Sequence, residues 1–258
     1  MNDQSPWSFV VASDDTFKMM AEGLQRSSSE HDVHQSPIYQ EVVRHLGPNR
    51  TVLDIGAGVG RFSVPLAQDS CRITAVEPSE EMRTRLSQAL RDTNQFDRVH
   101  IIDQAWPTST PLTAEVALAA FVIQFAPDPI AFVRAMEQSC TRRCILAIHV
   151  DALFSQFAPL WEEFPDIPTP PLMPVFSNLY PKLLEAGIVT DVQIIEESHG
   201  PQFRDPAQVL SMLTHRLKIQ DNPQAQVKLS QWLENHREQW TQPASTRSAL
   251  LSWAPNHS

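Results

Sequence analysis

Glycine is scarce in this chain. Only 7 of the 258 residues are glycine, against 21 prolines, and three of the seven, Gly56, Gly58 and Gly60, fall within five positions. Glycine alone enters positive φ without a steric penalty, so backbone freedom is concentrated at one point. Cysteine is scarce too. Cys71, Cys140 and Cys144 are an odd number with no C-x-x-C spacing, which excludes a disulfide framework and a cysteine metal cluster. A reducing, cytoplasmic setting is the expectation. Positive charge is in deficit: 20 Lys and Arg face 30 Asp and Glu, a net charge of -10. Nucleic acid and anionic membrane are therefore poor expected partners. Long apolar runs are missing. The longest, Val116 to Ile123, is eight residues, where a bilayer span needs about 20. Met1-Asn2-Asp3-Gln4 has neither a basic nor an apolar stretch and predicts no secretory leader. With 42% hydrophobic and 19% charged residues, whole-chain disorder, collagen and coiled coil are excluded.

What is present alternates. Thr51–Ile55, Arg72–Val76, Val99–Ile102, Val116–Ala120 and Arg143–Val150 read as strands. Between them, helices are predicted over Gly60–Gln68, from Ser79 with Met82, Leu86 and Leu90 on one face, and from Pro129 to Ser139. Ahead of the strands, Phe17, Met20, Ala21 and Leu24 recur at helical spacing, and Ser36-Pro37 opens a helix carrying Ile38, Val42 and Leu46. Past Val150, a run of prolines from Pro159 to Pro174 interrupts the rhythm. A helix over Ser177–Ala186, a strand over Ile188–Glu196, helices opening at Pro206 and Pro223, and a seventh strand at Arg247–Trp253 complete the reading. Trp232 and Trp240 are expected on one helix, and Cys140 and Cys144 on either side of a helix end. Strands alternating with helices predict βαβ units and a parallel sheet covered on both faces.

The strand Thr51–Ile55 runs directly into Gly56-Ala57-Gly58-Val59-Gly60. In an open α/β sheet, ligands bind beyond the carboxyl ends of the strands, and glycines there let a ligand approach the main chain. Glu77 closes the second strand, where an acid can accept both hydroxyls of a ribose. A dinucleotide fingerprint, G-x-G-x-x-G, needs glycine at 61, but the residue is Arg61. Asp54, two residues before the first glycine, would repel a pyrophosphate and suits a ligand with an ammonium group. S-adenosylmethionine has a ribose, an adenine, an amino-acid end and no phosphate.

At these residues the chain resembles the class I S-adenosylmethionine-dependent methyltransferases. Val52 to Phe62 is similar to that family's first motif, and Ala75-Val76-Glu77-Pro78-Ser79 with Met82 to its second. The resemblance covers roughly residues 36–150 and, more loosely, the Leu179–Gly187 helix and the last two strands. It implies a doubly wound, Rossmann-like α/β sheet of seven strands in the order 3-2-1-4-5-7-6, the last antiparallel. It implies Asp54, Gly56, Ala57, Gly58, Gly60, Glu77, Pro78 and Met82 as cofactor residues. Asp103, Gln104, Ala105 and Trp106 then line the adenine, and Phe121, after the fourth strand, is a further expected cofactor residue. Many relatives have Asp where Glu115 stands, and no role is given to it.

Each residue also has a plainer reading. Asp103 suits a turn or helix cap as well as a cofactor contact, and Trp106 a core or pocket wall. His149, near the end of the fifth strand, is a candidate general base, since an imidazole titrates near neutrality; a hydrogen-bonded structural histidine is the alternative. Gln124, Trp161 and Tyr180 are substrate-pocket candidates by position, with packing the favoured reading for the two aromatics. No metal site is expected. The expected organisation is a helical N-terminal cap over 1–36 and a methyltransferase domain over 37–258, with cap insertions at about 151–180 and 205–240. The expected reaction is methyl transfer from S-adenosylmethionine to a small molecule. A nucleic-acid or protein methyltransferase and a non-catalytic binder of the cofactor are the alternatives. A nicotinamide oxidoreductase is disfavoured by Arg61.

Overall fold

The computed structural model describes residues 32–151, 157–165, 174–197, 206–241 and 246–256. Seven strands form one sheet: β1 (Thr51–Ile55), β2 (Arg72–Val76), β3 (Val99–Ile102), β4 (Ala114–Ala120), β5 (Cys140–His149), β6 (Asp191–Glu197) and β7 (Thr246–Trp253). Their order is β3-β2-β1-β4-β5-β7-β6. The first five strands pair in parallel and β7 runs antiparallel to both β5 and β6. A central parallel strand is buried on both faces and so reads as a continuous apolar run; in β4, Val116 to Ala119 are all buried.

Alternation along the strands separates two cores. On one face, Leu53, Ala117, Leu146 and Leu251 pack with Phe132 and Met136 of α4 (Pro129–Gln138) and Leu179 and Leu183 of α6 (Phe176–Glu185). On the other, Val52, Leu118, Ala147 and Leu250 meet α1 (Pro37–His45), α2 (Ser63–Gln68) and α3 (Glu80–Asp92). Ser79 caps α3 by accepting from Met82 N, as its position before the apolar periodicity predicts.

A third cluster stands apart from the sheet. Phe157, Leu160 and Phe164, around α5 (Ala158–Glu162), share it with residues of α7 (Pro206–Arg216), α8 (Pro223–Asn235) and α9 (Arg237–Thr241), among them Val209, Leu213, Leu229, Trp232 and Trp240. Topology sets where this lobe departs. β6 and β5 point the same way and β7 the opposite way, so the segments after β5 and between β6 and β7 both leave from the carboxyl edge. That is the edge on which the glycine loop lies.

Several expectations are corrected. The helix after the glycine loop starts at Ser63, three residues later than expected, because the positive-φ glycines hold the chain out of the helical region until then. β6 starts at Asp191, where pairing with β7 begins. Cys140 and Cys144 both lie on β5, which begins at Cys140 and pairs there with Ala114. Trp232 and Trp240 sit on different helices, since the ladder breaks at His236. The predicted helix over Phe17–Leu24, most of the 1–36 cap and part of the proline-rich connection lie outside the described residues. Among the described residues, no helix is long and apolar enough to cross a membrane.

Candidate functional site

Order in the sheet reverses between β1 and β4, and in open α/β sheets the carboxyl ends at such a reversal are where ligands bind. The loop leaving β1 is pinned there by its own main chain. Gly56 N and Ala57 N donate to Val76 O at 2.8 and 3.2 Å, and Gly60 N to Ala57 O at 3.0 Å. Gly56, Gly58 and Gly60 have φ of +70°, +56° and +92°. The three differ in what surrounds them. A Cβ on Gly56 would lie 2.5 Å from Val122 Cγ2, and one on Gly60 would lie 2.5 Å from Leu86 Cδ1. A Cβ on Gly58 would meet nothing closer than Gly56 O at 4.0 Å. Two glycines are thus required by the fold. The middle one faces open space.

Two buried carboxyls flank this loop. Asp54 is 3% exposed and accepts from Ser63 Oγ at 2.6 Å. Burial pushes its carboxyl up to about 6; Ser63 opposes this, and the neighbouring Glu77 adds to it. Glu77 accepts from Gly58 N and Ser79 N, both at 2.9 Å. Burial raises it as well, against those two donors and Arg83. Arg83 donates to Glu77 O at 3.0 Å and to Pro78 O at 2.6 Å, and pairs with Asp103 Oδ1 at 2.7 Å. One guanidinium therefore ties the ends of β2 and β3 together, and sequence reasoning did not single it out. Its signal was only a basic residue one turn inside α3.

The other expected residues fall into two groups. Pro78 and Ala105 are exposed, and Met82 is buried. Gln104 accepts from Ser109 N at 2.9 Å and holds its own turn. Trp106 donates to Phe132 O at 3.1 Å and packs edge-on to that ring, so it belongs to the wall formed with α4. Phe121 has φ of +57° at the end of β4 and stacks on His149, ring centres 4.6 Å apart. Gln124, 5% exposed, donates from Nε2 to Phe121 O at 2.7 Å. Burial, with Arg61 nearby, lowers His149 to about 4 against the pull of Asp151. It is a neutral imidazole at pH 7.

Trp161 and Tyr180 are not brought together. Trp161 packs against the helical lobe, and Tyr180 stacks on Phe176 beside the sheet core. Glu115 sits at the opposite edge, where its carboxylate accepts from Gly47 N, Asn49 N and Thr51 N. Burial opposes ionisation there, but these donors outweigh it and hold the carboxyl below its ordinary value. An open groove of about 720 Å³ also lies at that amino edge, between Thr51, Arg72, Arg98 and His100, away from the loop. Among the described residues, no group of three or more His, Cys, Asp or Glu side chains is placed to hold a metal ion.

Residues 53–146, which contain the loop, both carboxyls and β1 to β5, match the sequence model of a family described as a methyltransferase domain. Over these residues the chain carries a methyltransferase domain. No curated protein matches its sequence. Among solved structures, the chain is similar to an S-adenosylmethionine-dependent methyltransferase from Geobacter sulfurreducens, solved with S-adenosylhomocysteine. The identity is 16%, covering 91% of this chain and 98% of that one, with a TM-score of 0.55. It is similar also to magnesium protoporphyrin IX methyltransferase from Synechocystis PCC 6803, at 14% identity over 96% and 90% of the two chains, TM-score 0.55. A third neighbour is SpnF, a 4+2 cyclase, at 15% identity over 93% of each chain, TM-score 0.56. At these identities the likeness is one of fold, and the fold serves more than one reaction.

Proposed function

We propose that this methyltransferase moves a methyl group from S-adenosylmethionine to a small-molecule acceptor at the carboxyl edge. The observation that carries the cofactor site is Gly58: a positive-φ glycine with open space where a side chain would stand, between two buried carboxyls. Asp54 faces the amino-acid end and gains a cationic partner for a charge that burial disfavours. Glu77, already oriented by Gly58 N and Ser79 N, takes the ribose hydroxyls. Gly56, Ala57 and Gly60 shape the loop. Pro78, Met82 and Asp103 to Trp106 border the adenine, with Arg83 fixing Asp103. Phe121 closes the floor beside β4.

When bound, the cofactor supplies a methyl on a sulfonium, an electrophile strong enough that alignment and exclusion of water carry much of the rate. The protein's part is then positional. His149 and Gln124 present polar atoms to the acceptor side. With His149 lowered to about 4, its role is to orient the acceptor and take up a proton briefly, not to hold one at neutral pH. The profile of kcat/KM for the cofactor reports groups of the free enzyme. It should fall below pH about 6 as Asp54 protonates, and show no second inflection between pH about 6.5 and 8 from His149. A titration there would mean that His149 is not desolvated as described.

The helical lobe supports a small acceptor. Both of its insertions depart from the ligand edge and share one apolar cluster, an arrangement suited to closing over a site. A net charge of -10 disfavours RNA and DNA. The test uses methyl-tritiated cofactor with a cell extract divided into small metabolites, protein and nucleic acid. Label should enter acid-soluble products only. Label precipitating with RNA or protein contradicts the small-molecule reading.

A further inference from the structure

Three buried polar atoms without hydrogen-bond partners lie along one short path at the carboxyl edge: His149 Nδ1, Ser248 Oγ and Gln124 Oε1. His149 and Ser248 are directly opposite each other in the β5–β7 ladder. Val150 N donates to Arg247 O at 2.8 Å, which makes His149 and Ser248 the non-hydrogen-bonded pair of that ladder, where side chains stand closest. They share the sheet face of Ala147 and Leu250. The His149 ring stacks on Phe121, and the Phe121 carbonyl accepts from Gln124 Nε2 at 2.7 Å. A carbonyl can only accept, so the amide orientation is fixed and Gln124 Oε1 is left as an unpartnered acceptor. Of the charged groups at this end, Arg61 and Asp151 act on His149, and Arg247 is held by Asp151 through Nε at 3.0 Å and Nη2 at 2.6 Å.

Buried polar atoms are almost always paired, so three orphans at the ligand edge call for an explanation, and a catalytic or binding role is one. Gln124 Oε1 demands a donor. A neutral imidazole and a serine hydroxyl adapt to either role. We propose that this patch docks the methyl acceptor and selects one whose nucleophile is a hydroxyl or an amine carrying a proton. Ser248 is a specificity residue that neither the glycine motif nor the family resemblance singled out. The inference rests on the methyl-transfer reading. In the step it implies, the acceptor's lone pair forms the new C–O or C–N bond and the C–S pair stays on sulfur. The acceptor's proton leaves through His149 to solvent.

The test uses the full chain saturated with S-adenosylhomocysteine and four probes of one shape. Phenol and aniline donate a hydrogen bond; anisole and toluene do not. Ligand-observed NMR should show phenol and aniline binding about tenfold tighter than the other two, the difference one satisfied buried acceptor makes. Ser248→Ala and Gln124→Met should erase that preference with unchanged affinity for S-adenosylhomocysteine. In Ser248→Ala the melting temperature should stay level or rise, since an unpartnered hydroxyl is removed. A structural role would lower it. Equal binding of the four probes, no binding of any, or a preference that survives both substitutions overturns the proposal. If methyl transfer itself is wrong, the tritium assay is blank while the donor preference persists.

Discussion

Replacing Gly58 by alanine should leave a folded protein that has lost most of its affinity for S-adenosylmethionine, while the same change at Gly56 should damage the fold first. Both positions have positive φ, where a side chain costs about 1–2 kcal/mol. That is the whole penalty to the fold at Gly58, because a Cβ there meets only Gly56 O, at an unstrained 4.0 Å. For a chain of this size it lowers the melting temperature by roughly 2–8 °C. At Gly56 the Cβ lies 2.5 Å from Val122 Cγ2 and 2.8 Å from Val122 Cβ. Such overpacking adds about 1–3 kcal/mol, so the fall should be about twice as large. Binding reverses the ranking. In the proposed site the cofactor lies over Gly58, so about 10- to 100-fold of affinity should go with that space. Thermal unfolding and calorimetry on the two variants measure both quantities. Equal affinity in Gly58→Ala and wild type would remove the loop from the site.

Asp54→Asn should make the free protein more stable and the cofactor weaker. The carboxyl is raised from its ordinary 3.8 to about 6. A raised acid contributes stability below its unfolded pKa and loses it as pH climbs through the folded one. The loss is thus complete above pH about 6, and the gap corresponds to about 3 kcal/mol at most. Asparagine can still accept from Ser63 but carries no charge. The variant should gain stability at pH 7.5 and almost none at pH 4, where the aspartic acid is already neutral. The cofactor then loses a charge-assisted contact worth about 1.5–3 kcal/mol, roughly 10- to 150-fold in affinity. A destabilised variant at pH 7.5 would show that the charge is stabilised by the fold itself and is not reserved for a ligand.

Much of this was legible in the sequence because it is local. A glycine triplet between an apolar strand and a helix, with acids at 54 and 77, is a pattern of neighbours along the chain, and the strand order followed from the resemblance those residues carry. What was not legible depends on pairing across distance. Ser248 is 99 residues from His149 and acquires meaning only through the β5–β7 register. Glu115 looks like a departure from a family pattern, yet its carboxylate closes the turn before β1 through Gly47, Asn49 and Thr51. Arg83 and Asp103 are 20 residues apart and meet because β2 and β3 end side by side. Trp161 and Tyr180, grouped by position, belong to separate clusters, since apolar spacing says that a residue is buried but not against what.

The most direct measurement is a calorimetric titration of the wild-type chain with S-adenosylhomocysteine and, separately, with NAD. S-adenosylhomocysteine should bind saturably and one to one, about 10- to 100-fold more weakly in Gly58→Ala, and NAD should give no heat. Binding of NAD, or S-adenosylhomocysteine binding wild type no better than the Gly58 variant, would contradict the proposed site.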